Sequence, residues 1–421
     1  MGKRSPRSTG TLLLALIALV ATCCTALSAT TATGAPAVRG FDGTTVKVAG
    51  FGIRAQLPGS ETGARARLQR FNRDNEIPGV RVEYTEFADD RQDPATALSE
   101  ARRLVTQVGV FAIVGDVSQS NPGAYFNQQH VPYFGWAFDN TYCSRDVTDK
   151  LYGFGYGGCL VPSDPKQTTG GSTQFRTLVA QRSGHAHPTM AVFSNDTQSG
   201  HNSVASVASG FDGGGFDVVY AKAVIPPPPV PDYTPFVQQM LVSDKGHAPD
   251  LIMCLLSVEC INIYSLLQAN GYQGTYLTAL YVDALAKALD GSLASVGFEP
   301  LSEDTAGVRQ MKADVEAFKP GASIDSGVVA GYLSTDMFLQ ALKTVARHGK
   351  SAITPEAVQH AAAHQTWKIA GLAGPLRYPD STTVPTPACG ALVRSVGTGW
   401  QTVSPYGCTT QRFPILSKYK S

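Results

Sequence analysis

The sequence contains no C-x-x-C pair, no H-E-x-x-H, no G-x-S-x-G and no G-x-x-x-x-G-K-[ST]. These absences remove the usual signatures of a structural zinc site, a zinc protease, a serine-hydrolase elbow and a phosphate loop. No cofactor is expected. Beyond the first thirty-odd residues no apolar run reaches the length of a membrane span. Charge of one sign is lacking too. The chain carries 34 Lys and Arg against 33 Asp and Glu. Without Lys3, Arg4 and Arg7 of the leader, 31 basic side chains face 33 acidic ones, a net charge near −2. Such a balance leaves no electrostatic footprint for nucleic acid or an anionic membrane.

What is present begins with a secretory signal. Lys3, Arg4 and Arg7 precede TLLLALIALVA, and small residues follow in TALSATTATGA. Residues 1–34 therefore read as a signal peptide and tether, and the mature protein as exported to an extracytoplasmic or periplasmic location. Two processing routes stay open: lipidation at Cys23 or Cys24 with anchoring to the outer face of the cell membrane, or ordinary cleavage near Ser28 or Gly34. Six further cysteines remain, Cys143, Cys159, Cys254, Cys260, Cys389 and Cys408. An even count in an exported chain points to disulfides, and six allow fifteen pairings. The near-neighbour set 143–159, 254–260 and 389–408 is expected, with a free buried Cys254 as the alternative.

Roughly 380 mature residues exceed what one core usually serves, so two domains are expected. Val46–Phe51 is an apolar run, and Ser60 can cap a helix with Ala64, Leu68 and Phe71 on one face. VRVEYTEF at 80–87 has strand character. Asp93-Pro94 has N-cap chemistry, followed by the stripe Ala97, Ala101, Leu104, Val108. Val110–Val114 is a short strand, Asn121-Pro122 opens another helix, and VPYFGW at 131–136 is a strand. The alternation restarts with TMAVFS (189–194), FDVVYAKAVI (216–225), LIMCLL (251–256) and TYLTALYV (275–282). Helical stretches lie between these strands, near 200–210, 233–243 and 258–270. Helices follow at 328–346 and from Thr354-Pro355 to about 366, and the tail 374–415 consists of short strands and loops. IPPPPVP, 225–231, is a stiff polyproline connector. Strands alternating with helices imply parallel sheets.

In open parallel sheets ligands bind beyond the carboxyl ends of strands. Ser118, Gln119 and Ser120 stand there, before a helix start whose free N–H groups favour a carboxylate or other acceptor. The blander reading is a simple cap at Ser120 or Asn121. GFGYGG at 153–158 fits G-x-G-x-x-G formally, yet it runs into Cys159 and Pro162 instead of opening a helix. His360 and His364 are one helical turn apart without a nearby third ligand, so a solvated face is expected and no metal. His185 and His187 flank a loop.

From about Val46 to 400 the chain resembles the type I solute-binding proteins of ABC transporters, the group named for branched-chain amino acid and amide binding. The marks are ADDRQDP before ALSEARRLV, the VGDVSQS loop, VPYFGWA, FSNDTQSG, DYTPFVQQM before APDLIMCLLS, and VAGYLSTDMFLQALK. The resemblance implies an α/β fold of two doubly wound parallel-sheet lobes joined by three crossovers. Lobe one would take 45–138 plus 292–350, and lobe two 139–291 plus 351–415. It implies a monomer that captures a small solute (amino acid, amide, or apolar or aromatic carboxylate) for an ABC-transporter permease, and no enzyme. Binding residues carried over are Ser118, Gln119, Ser120, Gly135, Trp136 and Ala137 on lobe one, with Gln198, Ser199, Ser257 and Tyr281 on lobe two. The family's acidic residue near the end of TYLTALYV is missing. Leu280 and Tyr281 stand there, with Asp283 beyond. A buried α-ammonium without a counter-charge is costly, so Trp136, Phe138 and Tyr281 direct the expectation to an apolar or aromatic solute. Alternatives are an extracellular sensor module of the same fold and a secreted hydrolase.

Overall fold

The computed structural model describes residues 38–420 except 56, 121, 139, 144–150, 161–165, 170–171, 227–229 and 378–388. The leader and its cleavage sites, Asn121 and the centre of the polyproline connector thus lie outside the described residues.

The first half builds one sheet. Strands β1 (Thr45–Gly52), β2 (Arg81–Asp89), β3 (Ala112–Val117), β4 (Tyr133–Gly135) and β5 (Gly153–Gly155) run parallel in the order β2-β1-β3-β4-β5. Helices α1 (Gly59–Arg73), α2 (Pro94–Arg103) and α3 (Gly123–Gln128) connect them. Asp93 caps α2 by accepting from Thr96 N–H at 2.6 Å, with Pro94 at the first helical position. Ser60 does not cap α1. Pro58 holds the cap position, and the Ser60 hydroxyl donates instead to Gly115 O at 2.8 Å.

That bond bears on where β3 ends. The strand expected to end at Val114 continues through Gly115, which lies inside it at φ +72° and at a register shift. Only a residue free to adopt positive φ lets the strand bulge there and run on to Val117. Ser334 Oγ accepts from Gly115 N–H at 3.1 Å, so two helices grip both sides of this one peptide position. The short helix α3 starts at Pro122 with no side-chain cap.

The second sheet, ordered β15-β14-β11-β10-β9-β7-β8, mixes directions. Its parallel part comprises β7 (Thr189–Asn195), β8 (Asp217–Ile225), β9 (Leu251–Cys254), β10 (Thr275–Thr278) and β11 (Leu293–Val296). Antiparallel β14 (Cys389–Val396) and β15 (Gly399–Cys408) extend it from the tail. Short β6 (Gln167–Thr169) pairs with β16 (Arg412–Pro414). The helices of this half are α4 (Ser172–Ser183), α5 (Gln198–Gly213), α6 (Thr234–Leu241), α7 (Glu259–Ala269) and α8 (Asp283–Ala286).

After β11 the chain returns to the first sheet through α9 (Ala306–Phe318), α10 (Ser326–Ala346) and α11 (Pro355–His364). The small hairpin β12 (Thr366–Ile369) and β13 (Ala373–Arg377) precedes the tail strands. Helix α10 is buried almost throughout, and its Phe338 meets Phe111 and Phe134 edge-on. The chain thus passes between the sheets three times: after β5, after β11 and before β14. This is the expected architecture of two α/β sheet units with three crossovers. By pairing, β5 belongs to the first sheet although it lies beyond 138, and β11 to the second although it lies within 292–350. Val38–Ser421 holds together as one compact unit.

Three disulfides, Cys143–Cys159, Cys254–Cys260 and Cys389–Cys408, adopt the near-neighbour pairing. No described helix is long and apolar enough to cross a membrane.

Candidate functional site

The loops beyond β3 and β4 are wired to each other through Asp116. Its carboxylate accepts from Ser118 N–H at 2.9 Å and from the Tyr142 hydroxyl at 2.7 Å, while its carbonyl accepts from Trp136 N–H at 2.9 Å. Gly135 has to be glycine: a Cβ there would stand 2.2 Å from Asp116 O. Ala137 follows at φ +71°, which turns the chain so that half-buried Trp136 meets Phe138 edge-on, ring centres 4.4 Å apart.

The Ser118 hydroxyl, expected to be a ligand donor, is committed inside the protein. It donates to Asp90 Oδ2 at 2.5 Å and accepts from Ser120 N–H at 3.1 Å. Asp90 is fully buried, and burial raises its carboxyl above the ordinary range against the opposing pull of Ser118, Gln92 N–H and Ser120. Gln119 is exposed between two buried serines.

The other expected residues are dispersed. Gln198 and Ser199 open α5, where Thr197 is the cap, and exposed Gln198 reaches Asn202 at 3.2 Å. Ser257 lies in the turn between β9 and α7 that Cys254–Cys260 closes; its N–H donates to Glu259. Tyr281 falls three residues past the end of β10 and is buried. Its hydroxyl accepts from Leu301 N–H at 3.1 Å, its ring stands edge-on to Trp400 at 5.3 Å, and burial pushes its pKa up to about 12. Asp283 starts α8, its carboxyl raised by burial and then by Asp325, which caps α10.

A cavity of about 260 Å³ gathers a different set. Trp136 and Phe138 reach it from the first sheet, and Tyr156 and Leu160 from the segment after β5. From the second half come Phe175 of α4, Val207 and Phe211 of α5, Met253 of β9, and Ala279 and Phe298 beyond β10 and β11. Thr168, Ser295 and Ser326 add hydroxyl-bearing walls, and Cys389–Ala391 of β14 close one side. Of the ten expected site residues, Trp136 alone is among its described lining. Phe138 stands out from the sequence beside Trp136, but Phe175 and Phe211 carry no strand-end signal, since α4 has little amphipathic periodicity and α5 reads as an ordinary helix, and β14 reaches β11 only through long-range antiparallel pairing. The described lining includes no Asp, Glu, Lys, Arg or His. Among the described residues no three metal-binding side chains cluster.

Comparison with known proteins matches this arrangement. The chain is similar in fold to a fatty acid ABC transporter substrate-binding protein from Thermomonospora curvata, with TM-score 0.68, 16% identity, and coverage of 89% of this chain and 95% of that one. It is similar to a possible leucine/isoleucine/valine-binding protein from Rhodopirellula baltica SH 1, with TM-score 0.67, 15% identity, and coverage of 86% and 97%. It is also similar to a solute-binding protein from R. palustris in complex with 4-hydroxybenzoate, with TM-score 0.64, 16% identity, and coverage of 88% and 97%. No curated protein sequence matches the chain significantly. The periplasmic binding protein family model, however, matches residues 49–397, nearly the whole described body. The chain belongs to the periplasmic binding protein family.

Proposed function

We propose that this protein is the extracytoplasmic solute-binding component of an ABC transporter, which captures one small solute between two lobes and presents it to a membrane permease. The observation that carries this reading is the cavity itself. Residues from loops beyond the carboxyl ends of β4, β10 and β11 converge on it, so both sheets contribute to one enclosure, where ligands of open α/β sheets bind. Structures similar in fold are named for fatty acid, for 4-hydroxybenzoate and for valine, which supports small-molecule capture. The first lobe comprises β1 to β5 with α9 to α11, and the second β6 to β11 with the tail strands. Trp136 contacts the solute. Gly135 and Ala137 shape the turn that carries it, and Ser118–Ser120 brace that turn through Asp116. Tyr281 acts as packing at the junction, and Gln198, Ser199 and Ser257 are not among the described residues that line the cavity.

Isothermal calorimetry on the mature protein tests this with valine, leucine, benzoate, 4-hydroxybenzoate, octanoate and their uncharged analogues. Saturable binding of one solute per chain, with no turnover of it, is the expected result. A panel without any binder, or chemical conversion of a bound compound, would sink the reading.

A further inference from the structure

We infer that the solute is an uncharged, predominantly apolar molecule. This inference rests on the solute-binding reading and sharpens it.

The first ground is the lining. A charged solute entering an enclosure of Trp136, Phe138, Phe175, Phe211, Met253 and Phe298 loses its water, and none of the described lining side chains offers an opposite charge in return. An amino acid zwitterion would lack counter-charges at both ends. Thr168, Thr169, Ser295, Ser326 and Thr409 of the lining carry hydroxyls, which serve a carbonyl, ether, amide or alcohol of a neutral molecule.

The second ground is independent and lies at the loop after β3. A carboxylate would need donors there, yet the Ser118 hydroxyl is given to Asp90 and the Ser118 N–H to Asp116. Both carboxyl groups are buried next to that loop. The Ser118 donors are therefore committed to two buried carboxyl groups and are not offered to a carboxylate, and the loop itself is not among the described lining of the cavity. Size fits a compact molecule. A cavity of about 150 Å³ accommodates benzene, and this one of about 260 Å³ approaches the lower end of the roughly 300–1,000 Å³ range of drug-sized ligand sites.

The test uses two probes of one skeleton: N-phenyl-1-naphthylamine, which is neutral, and 1-anilinonaphthalene-8-sulfonate, which adds one sulfonate. Fluorescence titration of the mature protein should show saturable binding of the neutral probe at least tenfold tighter than of the sulfonate. 1-Octanol should displace it at concentrations at least tenfold below those of octanoate. Val207→Trp, which fills the cavity from α5, should abolish the signal. Ala279→Trp at the exposed edge serves the same purpose if the first variant fails to melt cooperatively. Equal or tighter binding of the sulfonate or of octanoate, blocked by either variant, overturns the inference and leaves solute capture standing. Neutral-probe binding that both folded variants retain overturns it as well. Failure of every probe and of every solute in the calorimetric panel overturns solute capture, and the inference with it.

Discussion

Ser118 Oγ donates to Asp90 Oδ2 across 2.5 Å, which ties the loop after β3 to the loop after β2 with both residues buried. A bond to a buried carboxyl group contributes to folding before it contributes to any ligand. Ser118→Ala should therefore lower stability by about 1–3 kcal/mol, the cost of leaving a buried acceptor without its donor. Urea unfolding followed by circular dichroism measures it. An unchanged midpoint together with lost solute affinity would return the hydroxyl to the ligand.

Where the sequence was explicit, the chemistry was local. Asp93-Pro94 carries its own cap, and β7 to β10 announce themselves as apolar runs between helices. Gly115 misled because a glycine that ends a strand and one that bulges inside it look alike without the partners Ser60 and Ser334. Helix α4 was missed because STQFRTLVAQRS shows little amphipathic periodicity, and β11 because four residues are too short a signal. Trp136, a binding residue by the family resemblance and placed at a strand end, lines the cavity. Phe175, Phe211 and the β14 wall became neighbours only through tertiary packing.

Helices α1 and α10 approach backbone to backbone. A Cβ on Gly331 would lie 1.9 Å from Ser60 O, and one on Gly63 would lie 1.9 Å from Val328 O. Backbone cannot yield as a flexible side chain does, so Gly331→Ala should cost about 1–3 kcal/mol or more. A thermal midpoint within a degree of the parent would show that the helices separate freely.

Glu76 links α1 to α10 electrostatically. It receives two bonds from Arg67, at 2.7 and 3.1 Å, and one from Lys343 at 2.7 Å, while Arg67 also donates to Asp336. Burial works to raise the Glu76 carboxyl, but the bonds and charges of Arg67 and Lys343 outweigh it and hold it at about 2. A folded value below the ordinary 4.5 means stability fully present above pH 4.5 and lost as pH falls towards 2. Over that window the parent should lose on the order of 2–3 kcal/mol through this group. Glu76→Gln should be less stable at neutral pH and flatter across the window. Parallel curves for the two proteins between pH 5 and about 2 would count against the assignment.

Closure should be visible through one tryptophan. The chain has three. Trp367 is fully buried with Nε1 donating to Asp336 at 3.1 Å, and Trp400 is packed edge-on against Tyr281. Neither lines the cavity, whereas half-buried Trp136 does. A solute held by residues of both sheets interacts more favourably with a closed arrangement, and only that difference can shift the population. The three connecting segments are where such a hinge would bend. Saturating solute should change tryptophan emission in the parent and leave it unchanged in Trp136→Phe, while small-angle scattering records a smaller radius of gyration. At a hundred times its dissociation constant the solute should also stabilise the fold by about 2.7 kcal/mol. Tight binding without compaction, with an emission change that survives Trp136→Phe, would mean that the cavity fills without the lobes moving, because a rigid enclosure gains nothing from closing.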